Sequence, residues 1–342
     1  MICYNLDNDS IIKFGAVMKS KILKILRDNR DGYISGENLS GKLGVSRAAI
    51  WKHINVLRQE GYNIESITNK GYRLISETDD LNAISLNAMI ENIPFLDFAH
   101  YFETIDSTNL EAKRYALTNL EHEGIIVASE QTSGKGRLGR HWDSEKKSGL
   151  WMSMLLRPKI KPESASSLTL VAATAMCEAL ENLTGLPIGI KWPNDLVCQD
   201  RKICGILTEM SAEFNSLHYI VLGIGVNLKQ QIFSEELANK ATSLSLLGVT
   251  LQSKILLNEF LKIFSKYYAL FVKNDMTNVI NHHRSHSVTL NREVSIISQN
   301  EVRSGYALDI SENGSLIIEN DKGEKEVVFF GEVSVRGING YL

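Results

Sequence analysis

The chain has 342 residues, 44% of them hydrophobic and 23% charged, with 37 Lys/Arg against 40 Asp/Glu for a net charge of −3. That is the balance of an ordinary soluble protein, too long for one hydrophobic core, so two or three domains are expected. No apolar run reaches the roughly 18 residues of a membrane span, and the opening MICYNLDNDS lacks a basic stretch ahead of an apolar one, which points to a cytoplasmic protein with no membrane partner.

Charge is unevenly spread. Residues 1–75 hold 12 Lys/Arg against 7 Asp/Glu, a surplus of +5, whereas the remainder holds 25 against 33, a deficit of −8. A basic head on an acidic body is expected where only the head meets a polyanion. Cys3, Cys177, Cys198 and Cys204 show no CxxC spacing, so they read as reduced thiols rather than a zinc site or disulfide framework.

In chain order, residues 19–28 place Ile22, Leu23, Ile25 and Leu26 at helical spacing, and DNRDGYIS then ends that helix. The stretch SGENLSGKLGVSRAAIWKHINVLRQEG follows. Leu39 and Leu43 mark a short helix, Gly44 the turn, and Ser46 the cap of a second helix whose Ala49, Ile50, Ile54 and Leu57 face inward. YNIESITNKGYRLI alternates apolar and polar residues on both sides of Asn69-Lys70-Gly71, as in a β-hairpin. Helix-turn-helix plus hairpin predicts a winged helix. Its reading portion, residues 36–55 beginning at Gly36, turns Ser46, Arg47, Trp51, Lys52 and Asn55 outward, where Arg and Lys suit phosphates and base edges. Winged helices also bind proteins, and the basic face favours DNA.

Residues 76–94 are polar, then weakly helical, and are expected to link head to body. The body alternates strands (100–104, 124–129, 150–156, 188–191, 202–210, 217–224) with helices (108–117, 163–183, 254–272), the pattern of an α+β or mixed α/β sheet domain, so the whole reads as a multidomain α+β chain. From about residue 287 short strands with Asn-Gly and Lys-Gly turns predict a small closed β-barrel. His282, His283 and His286 have no carboxylate or cysteine at ligand spacing beside them, and a polar hinge before the barrel is expected rather than a metal site.

The most informative stretch is residues 130–149, EQTSGKGRLGRHWDSEKKSG. Gly134, Gly136 and Gly139 satisfy GxGxxG, but a dinucleotide site needs a helix directly after the loop, and here a strand, LWMSMLL, follows. Instead the glycines permit close backbone approach while Lys135, Arg137 and Arg140 supply three cations in six residues, which suits a phosphate-bearing ligand. Lys191-Trp192-Pro193-Asn194-Asp195 then offers a cation, an amide and a carboxylate, and Asp195 is a candidate ligand for Mg²⁺. In RKICGILTE, Lys202 stands at a turn before a buried strand, where a cation would reach the same phosphate.

Together DSTN (106–109), GKGRLGR (134–140), KWPND (191–195), RKICGILTE (201–209) and GIGVNL (223–228) resemble the motifs of the bifunctional biotin–protein ligase and biotin operon repressor family. The resemblance covers nearly the whole chain, through the terminal GEVSVRG. It implies three domains: a winged helix at 1–80, a class II synthetase-like ligase domain at 81–285 and an SH3-like barrel at 286–342. It implies that biotin and ATP, with Mg²⁺, give biotinyl-5′-adenylate and pyrophosphate, and that a lysine of biotin carboxyl carrier protein then attacks the adenylate. By the family's motifs Arg137, Lys202 and Lys135 are catalytic. Ser107, Thr108, Asn109, Gln131, Lys135, Gly136, Arg137, Lys202 and Gly205 hold biotin, and Arg137, Arg140, Trp142, Lys191, Asn194, Asp195 and Asn227 hold ATP and the adenylate. Lys135 stands where many relatives have arginine. Operator DNA and an adenylate-bound homodimer are the remaining implied partners. Two other readings are a DNA-binding vitamin sensor without catalysis, which has no need of a phosphate cradle, and a lipoate–protein ligase, against which the winged-helix head stands.

Overall fold

The computed structural model describes residues 8–213, 216–297, 302–329 and 334–337. The chain forms two compact units, Met1–Pro94 and Phe95–Leu342.

In the first unit α1 (Asn8–Asp28) packs its Met18, Ile22, Leu23 and Leu26 against α2 (Gly36–Leu43), α3 (Arg47–Gln59) and the hairpin β1 (Asn63–Ile67) and β2 (Gly71–Ser76). The predicted caps are in place: Ser46 Oγ accepts from Ala49 N at 3.2 Å, and Gly44 ends α2 with φ 67°. Gly71, at φ 112°, is required where the chain enters β2, because a methyl there would strike the Ile34 carbonyl that pairs with Tyr72. The stretch expected as a linker is instead part of this unit. It forms α4 (Ala83–Ile90) behind an Asn82 capping box, Ile84 enters the head's core, and Glu91 accepts from Ser20 Oγ at 2.7 Å and pairs with Lys24 at 3.2 Å.

The second unit is built on a seven-stranded mixed sheet of order β3-β4-β5-β9-β8-β7-β6, comprising Phe98–Phe102, Gly124–Ala128, Gly149–Leu156, Ser216–Asn227, Arg201–Glu213, Asp195–Cys198 and Gly189–Lys191 in that order. Only the β3/β4 pair is parallel. Residues paired across strands share a face, and successive residues alternate. Ser153, Gly223 and Leu207 lie in one register row, and Ser153 meets the start of α5 (Thr108–Thr118). Thr208, one residue on, meets Thr169 of α6 (Leu168–Thr184) at 2.7 Å, so α5 and α6 cover opposite faces. α6 is buried along most of its length, backed by α7 (Ser253–Phe271) and by α8 (Thr277–His286).

Two expectations for the C-terminal region are corrected. Residues 282–286 are the last turns of α8 rather than a hinge, with His283 fully buried and its Nε2 3.0 Å from the Leu170 carbonyl. The final strands β10 (Arg292–Ile297), β11 (Val302–Ile310), β12 (Leu316–Glu319), β13 (Lys325–Val328) and β14 (Ser334–Gly337) form, among the described residues, an open antiparallel sheet of order β13-β12-β11-β10-β14, not a closed barrel. Trp192 fastens this sheet to the body: its Nε1 donates to Gly314 O at 2.9 Å and its backbone N to Thr289 Oγ1 at 2.9 Å. Cys3 and residues 331–333 of GEVSVRG lie outside the described residues.

Candidate active site

A cleft open to solvent lies on the α5 face of the large sheet. Its floor is a strip of glycines, Gly205 on β8 and Gly223 and Gly225 on β9. None has a positive φ; what they permit is close approach. A methyl at Gly223 would strike the Asn109 amide, and one at Gly225 or Gly205 the Trp142 indole, with Lys202 also in the way at Gly205. Leu207 shares that face and adds an apolar side chain, while Met152, Ile206 and Ile224, whose side chains alternate to the other face, border the cleft between the glycines.

One end of the cleft is a neutral polar network. Gln131 Oε1 accepts from Thr108 N at 2.8 Å and from Thr108 Oγ1 at 3.1 Å, and Gln131 Nε2 donates to Ser144 Oγ at 2.9 Å. The Ser153 hydroxyl, fully buried, lies 2.7 Å from Thr108 Oγ1 and 2.5 Å from Asn109 Oδ1. Asn109 Nδ2 donates to Glu209 Oε2 at 2.8 Å, and Lys113 holds the other oxygen of Glu209 at 2.6 Å. Asp106, the first residue of DSTN, faces away from this network into a two-bond fork with Arg114, both bonds 2.8 Å. With the Ser107 amide, that fork holds the Asp106 carboxyl down at about pKa 2.

The other end is cationic. Arg137 Nη1 donates to Asn194 Oδ1 at 2.9 Å, Asn194 Nδ2 donates to Asp195 Oδ1 at 3.0 Å, and Lys202 Nζ stands 2.6 Å from the same oxygen. Lys202 Nζ also lies 5.0 Å from the centre of the Trp142 ring. Burial pulls the Arg137 pKa below its ordinary value, opposed by the charge of Asp195 and aided by that of Arg140, yet a guanidinium remains charged. Trp142 Nε1 is buried without a hydrogen-bond partner, a donor aimed into a site that offers it no acceptor.

Of the residues expected from sequence, Ser107, Thr108, Asn109, Gln131, Lys135, Gly136, Arg137, Trp142, Asn194, Lys202 and Gly205 line this one cleft. Arg140, Lys191 and Asn227 are not among its lining residues: Arg140 is exposed, Lys191 is buried on β6, and Asn227 Nδ2 holds the Thr242 carbonyl at 3.1 Å. Asp195 is the counter-ion of Lys202 and also accepts from Asn194 Nδ2. Ser153 and Ser144 were missed, since neither carries a motif signal and both enter the site only through pairing and loop closure.

Three family models match the chain: the HTH domain over residues 19–73, the biotin/lipoate A/B protein ligase family over 101–227 and the biotin protein ligase C-terminal domain over 289–336. The chain is 33% identical over 315 residues to the bifunctional ligase/repressor BirA of Bacillus subtilis, an alignment spanning 91% of this chain and 97% of that one. It is 31% identical over 320 residues to the Escherichia coli protein of the same name, spanning 92% and 96%. Among solved structures, the biotin protein ligase from Aquifex aeolicus in complex with biotin and ATP superposes with a TM-score of 0.62 at 31% identity, covering 71% of this chain and all of that one. With a winged-helix head, a ligase core and a C-terminal sheet each matched in order, the chain belongs to the biotin–protein ligase family, among its bifunctional ligase/repressor members.

Proposed function

We propose that this protein activates biotin with ATP, transfers it to a lysine of biotin carboxyl carrier protein, and represses transcription through its head with biotinyl-5′-adenylate as corepressor. The observation that carries the reading is the Arg137-Asn194-Asp195-Lys202 chain at one end of an otherwise neutral and apolar cleft. A vitamin sensor has no use for two cations linked through the Asn194 amide and the Asp195 carboxylate at that end, whereas adenylation requires them. The attacking carboxylate and the α-phosphate are both anionic. Cations between them cancel the repulsion and the charge that builds as the carboxylate oxygen bonds to phosphorus and pyrophosphate leaves.

In this reading the ureido ring of biotin is held by the Gln131, Thr108, Asn109 and Ser153 network, its aliphatic chain crosses the glycine floor, and its carboxylate meets Arg137 and Lys202, with Lys135 beside them. The orphaned indole N–H of Trp142 donates to the adenylate. Magnesium arrives with the phosphates of ATP, as part of the nucleotide substrate. In the second step the carrier's lysine amine bonds to the acyl carbon and gives up a proton, and AMP leaves with the pair of electrons of the broken acyl–phosphate bond. The same reading assigns DNA contact to Ser46, Arg47, Trp51, Lys52 and Asn55; Trp51 is 60% exposed, and Asn55 accepts from Arg58 at 3.3 Å. It also takes the protein to be cytoplasmic and dimeric on the operator, and the division of labour to follow the head, the ligase core and the C-terminal sheet. Exchange of labelled pyrophosphate into ATP, run with biotin and separately with lipoate, tests the reading. Exchange with biotin alone is expected; exchange with lipoate alone, or with neither, overturns it.

A further inference from the structure

Helices α6 and α8 pack together in the second unit, and four metal-ligating side chains converge between them, away from the cleft. Cys177 and Glu181 lie one turn apart on α6, and His282 and His286 one turn apart on α8. One donor atom from each lies within 4.8 Å of all the others. In a tetrahedral zinc site, bonds of about 2.0–2.3 Å place the donors roughly 3.3–3.7 Å apart, so closing on an ion needs the donors to draw together by about 1 Å and the two stacked imidazoles to rotate out of parallel, with no change of the helices. We propose that this cluster is a binding site for one divalent cation of the zinc class, fastening α8 to α6.

The hydrogen bonds around the cluster are those of a metal site. His286 Nδ1 lies 3.0 Å from the His282 carbonyl, which can only accept, and 2.9 Å from Ser285 Oγ, whose own proton goes to that same carbonyl at 3.0 Å. Nδ1 therefore carries a proton, and in the neutral ring Nε2 presents a lone pair. That lone pair faces Glu181 Oε2 at 3.3 Å, a second acceptor. Two acceptors so close need a cation between them or a second proton on the ring. His282 stacks on His286 with ring centres 3.9 Å apart and planes at 6°, and its Nδ1 is buried with no hydrogen-bond partner. A second proton on His286 satisfies Glu181 but gives His282 Nδ1 no partner, whereas an ion bound through that nitrogen would serve both.

The supporting contacts are also present. Glu181 Oε1 accepts from Ile188 N at 3.2 Å, and the Cys177 thiol donates to the Ile188 carbonyl at 3.4 Å, so both α6 ligands are oriented by one backbone residue. On binding, the Cys177 S–H bond breaks, its proton leaves to solvent and a metal–thiolate bond forms. Sulfur with two imidazoles and one carboxylate selects zinc over magnesium or calcium. α8 also carries Arg284, which grips Asp309 at 2.8 Å and Ile310 O at 2.6 Å, so an ion here would brace the helix that holds the C-terminal sheet.

The test is titration of chelator-stripped full-length protein with Co²⁺, read by absorption. One equivalent should bind with a thiolate-to-cobalt charge-transfer band and tetrahedral visible bands, and Zn²⁺ should bleach both. Cys177→Ser should lose the charge-transfer band. His286→Gln, at a partly exposed position where folding is not at risk, should weaken Co²⁺ binding by at least about 10- to 100-fold with unchanged circular dichroism. Absence of the charge-transfer band in the unmodified protein, or equal Co²⁺ affinity in His286→Gln, overturns the site and leaves a His286–Glu181 ion pair.

Discussion

Lys202 Nζ stands 2.6 Å from Asp195 Oδ1, with about a fifth of the lysine side chain exposed, so the cation expected to meet the reacting phosphate already has an anionic partner. The pair keeps a positive charge at the cleft without leaving it bare, and an incoming phosphate competes with Asp195 for it. Lys202→Gln keeps most of the length and removes the charge. Loss of one such contact in the transition state should cost about 2–4 kcal/mol, roughly 30- to 1000-fold in adenylation rate. Pyrophosphate exchange near the unmodified rate would rule out this role.

Arg137 reaches the same chain from the opposite side through Asn194. Its charge should both speed adenylation and retain the product, so Arg137→Gly should release biotinyl-adenylate faster, by about 10- to 100-fold for one lost charge-assisted bond. Chromatography of free adenylate after a single turnover measures this; release equal to that of the unmodified protein contradicts it.

The glycine floor sets the depth of the cleft. Gly225→Ala would drive a methyl into the Trp142 indole, which is itself packed edge-on against Trp151 with ring centres 6.4 Å apart. Overpacking of this kind costs about 1–3 kcal/mol, and here it should appear mainly as a higher KM for biotin. An unchanged KM would show that the indole has room to retreat.

Much of the site was legible because its residues cluster in short segments: Arg137 in a glycine-cation loop, Asn194 and Asp195 in one turn, Lys202 before a strand. Gly205 was named among the biotin residues, but that it forms a strip with Gly223 and Gly225 depends on β8 and β9 aligning Gly205 with Gly225, which periodicity within one strand does not reveal. Ser153 is likewise one small residue in an apolar strand until pairing sets it beneath Thr108 and Asn109. At the C-terminus His282 and His286 read as part of a hinge; that they stand one turn apart on α8, and that Cys177 and Glu181 about a hundred residues earlier make the matching pair, follows from helix formation and packing alone. The open final sheet and the docking of α4 onto α1 are non-local in the same sense.

The Asp106–Arg114 fork gives a pH dependence. The folded carboxyl is held at about 2 against an ordinary 3.8, so the folded state binds fewer protons than the unfolded chain. Its stabilisation is present in full above pH 3.8 and is lost as pH falls through about 2. Because the side chains are 50% and 40% exposed, solvent screening limits it to below about 1 kcal/mol. Asp106→Asn should flatten the fall in stability between pH 4 and 2 by no more than that, measured by denaturant midpoints across the range; a larger change would mean that Asp106 also anchors the biotin network.

Ligand binding in the body should govern DNA binding by the head. A single winged helix reaches few base pairs, and the exposed row of Arg47, Trp51 and Lys52 on α3 is short, so tight operator binding requires two heads at a fixed spacing, as a two-fold dimer provides. The segment 133–148 is tied to the core through residues that also line the cleft, with Arg137 on Asn194 and Trp142 against Gly225, so a ligand that takes over Arg137 also changes what anchors this segment. If the ligand-anchored segment forms part of the dimer surface, adenylate and dimer strengthen each other by the same factor, since coupling between two sites is reciprocal. Operator affinity should then rise by about 10- to 100-fold when biotin and ATP are supplied together, a coupling of roughly 1–3 kcal/mol, and sedimentation should show the dimer appearing over the same ligand range. Arg137→Gly, which loses adenylate, should blunt both changes, while a chain beginning at Phe95 should retain ligand-dependent dimerisation and lose operator binding. Equal operator affinity with and without ligand would sever the coupling and leave the ligase reading intact.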